Sequence, residues 1–248
     1  MTRIFNHIHS IVFWVLILFY TIVIATVSYM LALFIKDERK GDLYRRGVKM
    51  WGSFLADAAL VKVKVSGLEN IPSNTAVIFT PNHQSYLDIF ILLKILPDPF
   101  RFVTMRKLFK IPIAGHYIKQ AGFISLDRKD RKRSTKAIRM IVDLLEKNET
   151  FVIFPEGKLT RDGSVGEFSR GASIIIQSSK KPVVPISIDG TFDALPKGAW
   201  KLRPREVMVN IGKPVYFDRY AILDKKTSLN LGNELRKMVI DLKMSAIG

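Results

Sequence analysis

The stretch Ala76-Val77-Ile78-Phe79-Thr80-Pro81-Asn82-His83-Gln84-Ser85-Tyr86-Leu87-Asp88 decides the fold class. Its four leading apolar residues read as a buried strand, Pro81 and the polar residues after it as a loop, and Ser85 as a helix start. On one continuous helix His83 and Asp88, five residues apart, would stand about 140° apart and could not meet. A strand-to-helix junction is therefore required. There the His83 ring can turn back, place one nitrogen on the Asp88 carboxylate and offer the other to a substrate hydroxyl. The same spacing also fits a capping box, with Ser85 at the N-cap and Asp88 three positions on, contributing about 1 kcal/mol of helix stability.

Outward from this junction, short β-branched runs alternate with helical periods from about residue 61 onward, which predicts an α/β domain with a mostly parallel or mixed central sheet flanked by helices. Strands are expected at 61–65, 75–80, 122–126, 150–154, 182–188 and 207–211. Ser134 is the expected cap of a helix with Ile138, Ile141, Val142 and Leu145 on its core face, and Leu231, Leu235, Met238, Val239 and Leu242 form a second stripe. No internal repeat or second-domain boundary interrupts the run, so residues 59–248 read as one catalytic domain and 1–58 as a helical membrane-anchoring segment.

That segment carries no Lys, Arg, Asp or Glu between Arg3 and Lys36. Residues 11–35 would make a helix of about 37 Å against roughly 30 Å of hydrocarbon, so a tilted span is possible. The run is too long for a signal h-region and meets Lys36-Asp37-Glu38-Arg39-Lys40 without a small-residue cleavage site, which predicts a retained anchor. Cations concentrated after it place the catalytic body on the cytoplasmic side. A break near residues 28–31 would instead give a helical pair within one leaflet. Beyond it Tyr44, Val48, Trp51 and Leu55 recur at helical spacing, as on an interfacial helix or a core-packed one.

The 248 residues include 39 Lys+Arg against 22 Asp+Glu, a formal charge of +17, with 48% hydrophobic residues and no cysteine. This excludes disulfide frameworks, thiol nucleophiles and cysteine metal sites. The basic run 128–136 lacks aromatic interleaving or a reading helix, so an anionic lipid surface explains it better than nucleic acid. His7 and His9 would point about 200° apart on a helix, and neither they nor His116 form an i, i+4 pair, so no metal is expected.

Asn82-His83-x-x-x-x-Asp88 resembles the first signature of the glycerolipid acyltransferase family, and its surroundings are most similar to the lysophosphatidic acid (1-acyl-glycerol-3-phosphate) branch. Gly122-Phe123-Ile124-Ser125-Leu126-Asp127-Arg128 resembles the second block, Phe154-Pro155-Glu156-Gly157 the third and Val184-Pro185-Ile186-Ser187-Ile188 the fourth. Leu108-x-x-Ile111-Pro112-x-x-Gly115 and Phe168-x-Arg170-Gly171-Ala172 also match, so the likeness covers roughly residues 75–190 in family order.

The resemblance implies transfer of a fatty acyl group from acyl-CoA or acyl carrier protein to the sn-2 hydroxyl of lysophosphatidic acid beside membrane phospholipid. The product is phosphatidic acid, and no cofactor is needed. Glycerol 3-phosphate or a different lysolipid is the runner-up acceptor, and a non-catalytic lipid-binding scaffold the alternative outside enzymes. The same likeness makes His83 the general base and Asp88 its orienting partner. It places Asn82, Arg106, Lys107, Arg128, Glu156, Gly157, Lys158, Arg161 and Arg170 at or beside the substrate. Glu156 is then expected at a glycerol hydroxyl or beside a cation. With Ser85 a cap, direct transfer in a ternary complex is the simpler scheme, its oxyanion held by N–H groups near the helix start. Phe100, Phe102, Phe109 and Tyr117 either line an acyl tunnel or pack as core. Two departures delete charge: Leu159 stands where the third block usually has Arg, and Met105 where a Lys commonly precedes the Ile-Pro match.

Overall fold

A computed structural model describes residues 2–97, 99–126, 130–220 and 224–245. Seven strands, β1 (Lys62–Ser66), β2 (Ile78–Pro81), β3 (Phe100–Met105), β4 (Ile124–Leu126), β5 (Thr150–Ile153), β6 (Val183–Asp189) and β7 (Glu206–Ile211), form one sheet in the order β1-β7-β6-β2-β5-β3-β4. Strands β2 to β6 are parallel, while β7 runs antiparallel to β6 and parallel to β1. The helices are α1 (Thr2–Ala32), α2 (Asp37–Ala58), α3 (Leu87–Ile95), α4 (Ala114–Gln120), α5 (Arg131–Glu146), α6 (Arg170–Ser179), the single turn α7 (Thr191–Ala194) and α8 (Lys225–Met244). The six expected strands are present within a few residues of their expected bounds.

Strand alternation sorts the core into two layers, because successive side chains leave opposite faces of a sheet. Phe79, Phe102, Val152 and Ile186 pack with α1, α2 and α3. Ile78, Phe151, Ile153 and Val183 pack with α5, α6 and α8. Neighbouring strands β2 and β5 therefore send their following helices, α3 and α6, to opposite sides. That opens a crevice at their carboxyl ends, the place where open α/β sheets receive ligands.

Strand β3 was not among the expected strands. Its alternation is short, follows the proline-rich 97–99 and contains Arg101, a poor residue for a buried sheet. The structure offsets that charge with a bidentate pair to Glu149, at 2.7 and 3.1 Å. The cap expected at Ser134 also moves: α5 starts four residues earlier because Asp130 is its N-cap and accepts from the N–H of Arg133 at 3.0 Å. Ser134 lies inside the first turn, its N–H already bonded to the Asp130 carbonyl.

Helix α1 runs unbroken through 28–31, and the chain reverses at 33–36 instead, so the helical pair is α1 against α2. By length and composition α1 could cross a membrane. Here one stripe of it, Ser10, Phe13, Ala25, Ser28 and Ala32, is buried, while Ile4, Leu18, Leu33, Phe34 and most apolar residues between are exposed. Ser10 accepts from the N–H of Leu202 at 2.8 Å, Phe13 packs edge-on against Phe90, and the Ser28 and Tyr117 hydroxyls are 2.7 Å apart. Tyr44, Val48 and Leu55 are buried between α1 and α3, so of the two readings of that stripe the core-packed helix is the one found. Phe100, Phe102 and Tyr117 likewise belong to the core.

The helices approach closely because α2 offers glycines. A Cβ on Gly52 would lie 2.3 Å from Leu93 Cδ1 and 2.7 Å from Leu93 Cβ. Gly52→Ala is expected to destabilise the fold by about 1–3 kcal/mol through overpacking, read as a lowered Tm. Leu93→Ala in the same chain should recover part of that loss, whereas strictly additive effects would show that the two helices do not meet here.

Candidate active site

Register builds the site first. Strand β2 pairs Ile78 with Phe151 and Phe79 with Val152, and continuing that offset of 73 sets His83 opposite Glu156. The contact is made: the His83 N–H donates to Glu156 Oε1 at 2.9 Å, and the Gly166 N–H donates to Oε2 at 3.1 Å. On the other side of β2, Asn82 acts as an extra ladder rung. Its Nδ2 donates to the Ile188 carbonyl at 2.9 Å, and its Oδ1 accepts from the Ile188 N–H at 2.7 Å. Asn82 is wholly buried, which corrects its expected place at the substrate: its amide is used up in joining β2 to β6.

The chain then turns so that His83 Nδ1 lies 2.9 Å from Asp88 Oδ2. The same oxygen accepts from the N–H groups of Gln84 (2.7 Å) and Ser85 (2.9 Å), while Oδ1 accepts from the Thr191 hydroxyl at 2.6 Å. Asp88 is 0% exposed, and an oxygen that meets two backbone donors is an acceptor toward the third. Nδ1 therefore carries the ring proton, leaving the lone pair on Nε2, which makes no hydrogen bond among the described residues. Phe154 stacks under the imidazole at 3.8 Å and 22°, and the His83 carbonyl accepts from the Thr160 N–H. The side chain keeps 13% exposure.

The capping box expected here is not the one found: the N-cap of α3 is Tyr86, one residue later than Ser85 and without a side-chain cap bond. Asp88 does accept from the Ser85 N–H at 2.9 Å, and Ser85 Oγ accepts from the Leu87 N–H at 3.2 Å rather than from the Asp88 N–H. One consequence corrects an expectation: the N–H groups of Gln84, Ser85 and Leu87 are already engaged and do not form an oxyanion hole. Ser85 Oγ donates to the Leu195 carbonyl at 2.7 Å, away from the imidazole, so it is no nucleophile.

Glu156 is buried, and that burial pushes its carboxyl above the usual range against the opposing pull of the His83 and Gly166 N–H groups. These two bonds make it a brace between the residues after β2 and the loop after β5. Gly157 closes the same turn with φ +59, donating to the Phe154 carbonyl, a conformation that suits glycine. Its part is in the backbone. Arg106 and Lys107 follow β3, Lys158 and Arg161 follow β5, and Arg170 opens α6. All five are exposed, and among the described residues none is hydrogen-bonded to His83 or Asp88. Arg128 lies outside the described residues. Asp162, beside Arg161, is held down to about 2 by the hydroxyl and N–H of Ser164 and by the Thr160 hydroxyl, so this loop carries a fixed negative charge among its cations. Met105 is 52% exposed at the end of β3, where a cation is easily solvated, but Leu159 is 7% exposed and faces inward.

Sequence reasoning missed Thr191 and Phe154 as partners of the dyad. Thr191 follows β6, and only the observed strand order places it beside β2; Phe154 was visible as the residue preceding Pro155-Glu156-Gly157.

A family model described as Acyltransferase matches residues 62–189, from β1 to the end of β6. The chain is 34% identical over 189 residues to 1-acyl-sn-glycerol-3-phosphate acyltransferase BAT2, chloroplastic, of Brassica napus, covering 73% of this chain and 54% of that protein. It thus spans about half the length of this plant relative. The 1-acyl-sn-glycerol-3-phosphate acyltransferase of Pseudomonas aeruginosa is 29% identical over 214 residues, 84% of this chain and 81% of its own. The crystal structure of the 1-acyl-sn-glycerophosphate (LPA) acyltransferase PlsC from Thermotoga maritima superposes with a TM-score of 0.80 at 27% identity, over 98% of both chains. Because the matched region takes in over half of the chain, including His83, Asp88, Phe154 and Glu156, the protein belongs to the acyltransferase family.

Proposed function

We propose that this protein moves a fatty acyl group from a thioester to the free hydroxyl of 1-acyl-glycerol-3-phosphate, giving phosphatidic acid. The observation that carries the reading is the His83–Asp88 pair at the β2/β5 crevice, with Nε2 unbonded and Nδ1 fixed by a buried acceptor. The names of the relatives supply the acceptor. Nε2 takes the proton from the acceptor hydroxyl as its oxygen attacks the thioester carbonyl. The tetrahedral intermediate then expels thiolate by breaking the C–S bond, and the imidazolium returns the proton to sulfur. Asp88 holds the ring orientation and balances the transient positive charge. One alcohol and one thioester become one ester and one thiol, with no acyl-enzyme.

The net charge of +17 suits a phosphorylated acceptor and an anionic lipid surface. Helix α1 contacts the catalytic body at both Ser10 and Ser28, about 27 Å apart along its axis, nearly the full hydrocarbon thickness. A perpendicular span would drag the body into the bilayer. The exposed face of α1 therefore rests in a single leaflet, with the cations after it at the cytoplasmic surface, and the crevice meets its lipid acceptor without extracting it into water.

The reading is tested by incubating purified protein in detergent with a panel of lysolipids and glycerol 3-phosphate, each with acyl-CoA or acyl carrier protein, and weighing the products. Phosphatidic acid from lysophosphatidic acid is expected; product from glycerol 3-phosphate alone would move the assignment to the runner-up acceptor, and none from any pair would leave a scaffold. Met105→Lys should lower KM for the phosphorylated acceptor several-fold, because the new ammonium sits in solvent at the strand end. Leu159→Arg should instead lower Tm, because a guanidinium would enter a buried site without a carboxylate built for it. An unchanged KM in the first variant would show that neighbouring cations already hold the phosphate.

A further inference from the structure

On the sheet face opposite α1 and α2, a cavity of about 560 Å³ opens where the first turns of α5 and α6 meet the end of β4. Its polar lining includes Arg131, Arg170 and Ser169, and its floor is Leu126, Ile138 and Ile174. Some arginines elsewhere are engaged: Arg101 with Glu149, Arg133 with Asp130, Arg236 with the carbonyls of Val165 and Gly166. The side chains of Arg131 and Arg170 have no hydrogen-bond or ion-pair partner among the described residues, and the Ser169 hydroxyl is likewise unused. Two guanidinium groups and a hydroxyl without partners among the described residues, over an apolar floor in a cavity of ligand size, suit a phosphate carried on a flat apolar body.

The cavity is tied to the reacting centre. The Ser169 N–H donates to the Pro155 carbonyl at 2.8 Å, and Pro155 lies between Phe154, which stacks on the His83 ring, and Glu156, which accepts from the His83 N–H. The crevice is thus flanked by an apolar layer on the α1–α3 side and a basic cavity on the α5–α6 side. A thioester donor with unlike ends is sorted by such a pair of surfaces. We propose that this cavity takes the phosphorylated nucleotide end of a coenzyme A thioester, with Arg131 and Arg170 clasping phosphate, Ser169 adding a hydrogen bond and the apolar floor meeting the base. This deepens the acyl-transfer reading and rests on it for the thioester, while the nucleotide site stands on the cavity itself. Two guanidinium groups set over a small apolar floor favour a compact nucleotide over the broad acidic surface of a carrier protein.

Titration calorimetry of the full chain with adenosine 3′,5′-bisphosphate tests the site without turnover, and steady-state kinetics then test its use. Arg131→Gln with Arg170→Gln should weaken bisphosphate binding at least tenfold and raise KM for acyl-CoA at least tenfold, while KM for lysophosphatidic acid stays within twofold. The lysine pair Arg131→Lys with Arg170→Lys should recover part of the binding. Both residues are exposed and their side chains have no partner among the described residues, so an unchanged Tm is the folding control. Bisphosphate binding equal in wild type and the glutamine pair would overturn the proposal. So would a rise in KM for the acceptor instead, which makes this the acceptor's phosphate site, or turnover with acyl carrier protein but not acyl-CoA. If bisphosphate binding is lost in the glutamine pair yet no donor supports turnover, the nucleotide site stands and the acyl-transfer reading fails.

Discussion

His83→Ala is expected to lower kcat by roughly 10²–10⁴-fold, the usual contribution of a positioned general base, with little change in KM for the acceptor. The fold should survive. The backbone bonds at this position, N–H to Glu156 and carbonyl from Thr160, do not involve the ring, and the side chain lies at a crevice rather than in a packed layer. Steady-state rates and a thermal melt on the same preparation separate the two effects. A variant with full turnover and an unchanged melt would assign the proton transfer to another group. A collapse in both would show that the ring is part of the core.

Asp88→Asn is the second large effect, expected at roughly 10³–10⁴-fold in kcat with a modest loss of stability. Asparagine has the same shape, and its single carbonyl oxygen can take over the donors that now meet Oδ2. Its amide group then faces Thr191, whose hydroxyl must turn from donor to acceptor. The rearranged bonds cost about 1–3 kcal/mol, to be read as a lower Tm. What cannot be replaced is the negative charge opposite the imidazolium as it forms. A drop in Tm with kcat nearly intact would mean that Asp88 is only the helix cap its spacing also suggests.

The junction was legible in sequence because three signals agree within thirteen residues: an apolar run, a Pro81 break and a Ser85 start. Local spacing alone excluded a continuous helix and forced His83 back onto Asp88. The assignment of Asn82 failed for a non-local reason. Nothing near position 82 reveals that β6 will lie alongside, with the Ile188 peptide waiting for an amide. The bracing bonds of Glu156 were hidden similarly, since its partners His83 and Gly166 come from different segments. The oxyanion expectation narrows because three helix-start donors, the N–H groups of Gln84, Ser85 and Leu87, look available until the side chains that engage them are located. Hydropathy marked α1 as long and apolar enough to cross a membrane, but not that a stripe from Ser10 to Ala32 docks onto the rest of the chain; small and polar residues at that spacing, Ser10, Ala25, Ser28 and Ala32, were the trace it left.

The most direct test of the central claim is a proton–nitrogen NMR correlation of the His83 ring, assigned by loss of its signals in His83→Ala and recorded at a pH where the ring is neutral. The account predicts a proton on Nδ1 and a bare, pyridine-like Nε2, because a buried carboxylate already committed to two backbone donors holds the first and leaves the second to the substrate. A proton on Nε2 with Nδ1 bare would contradict it.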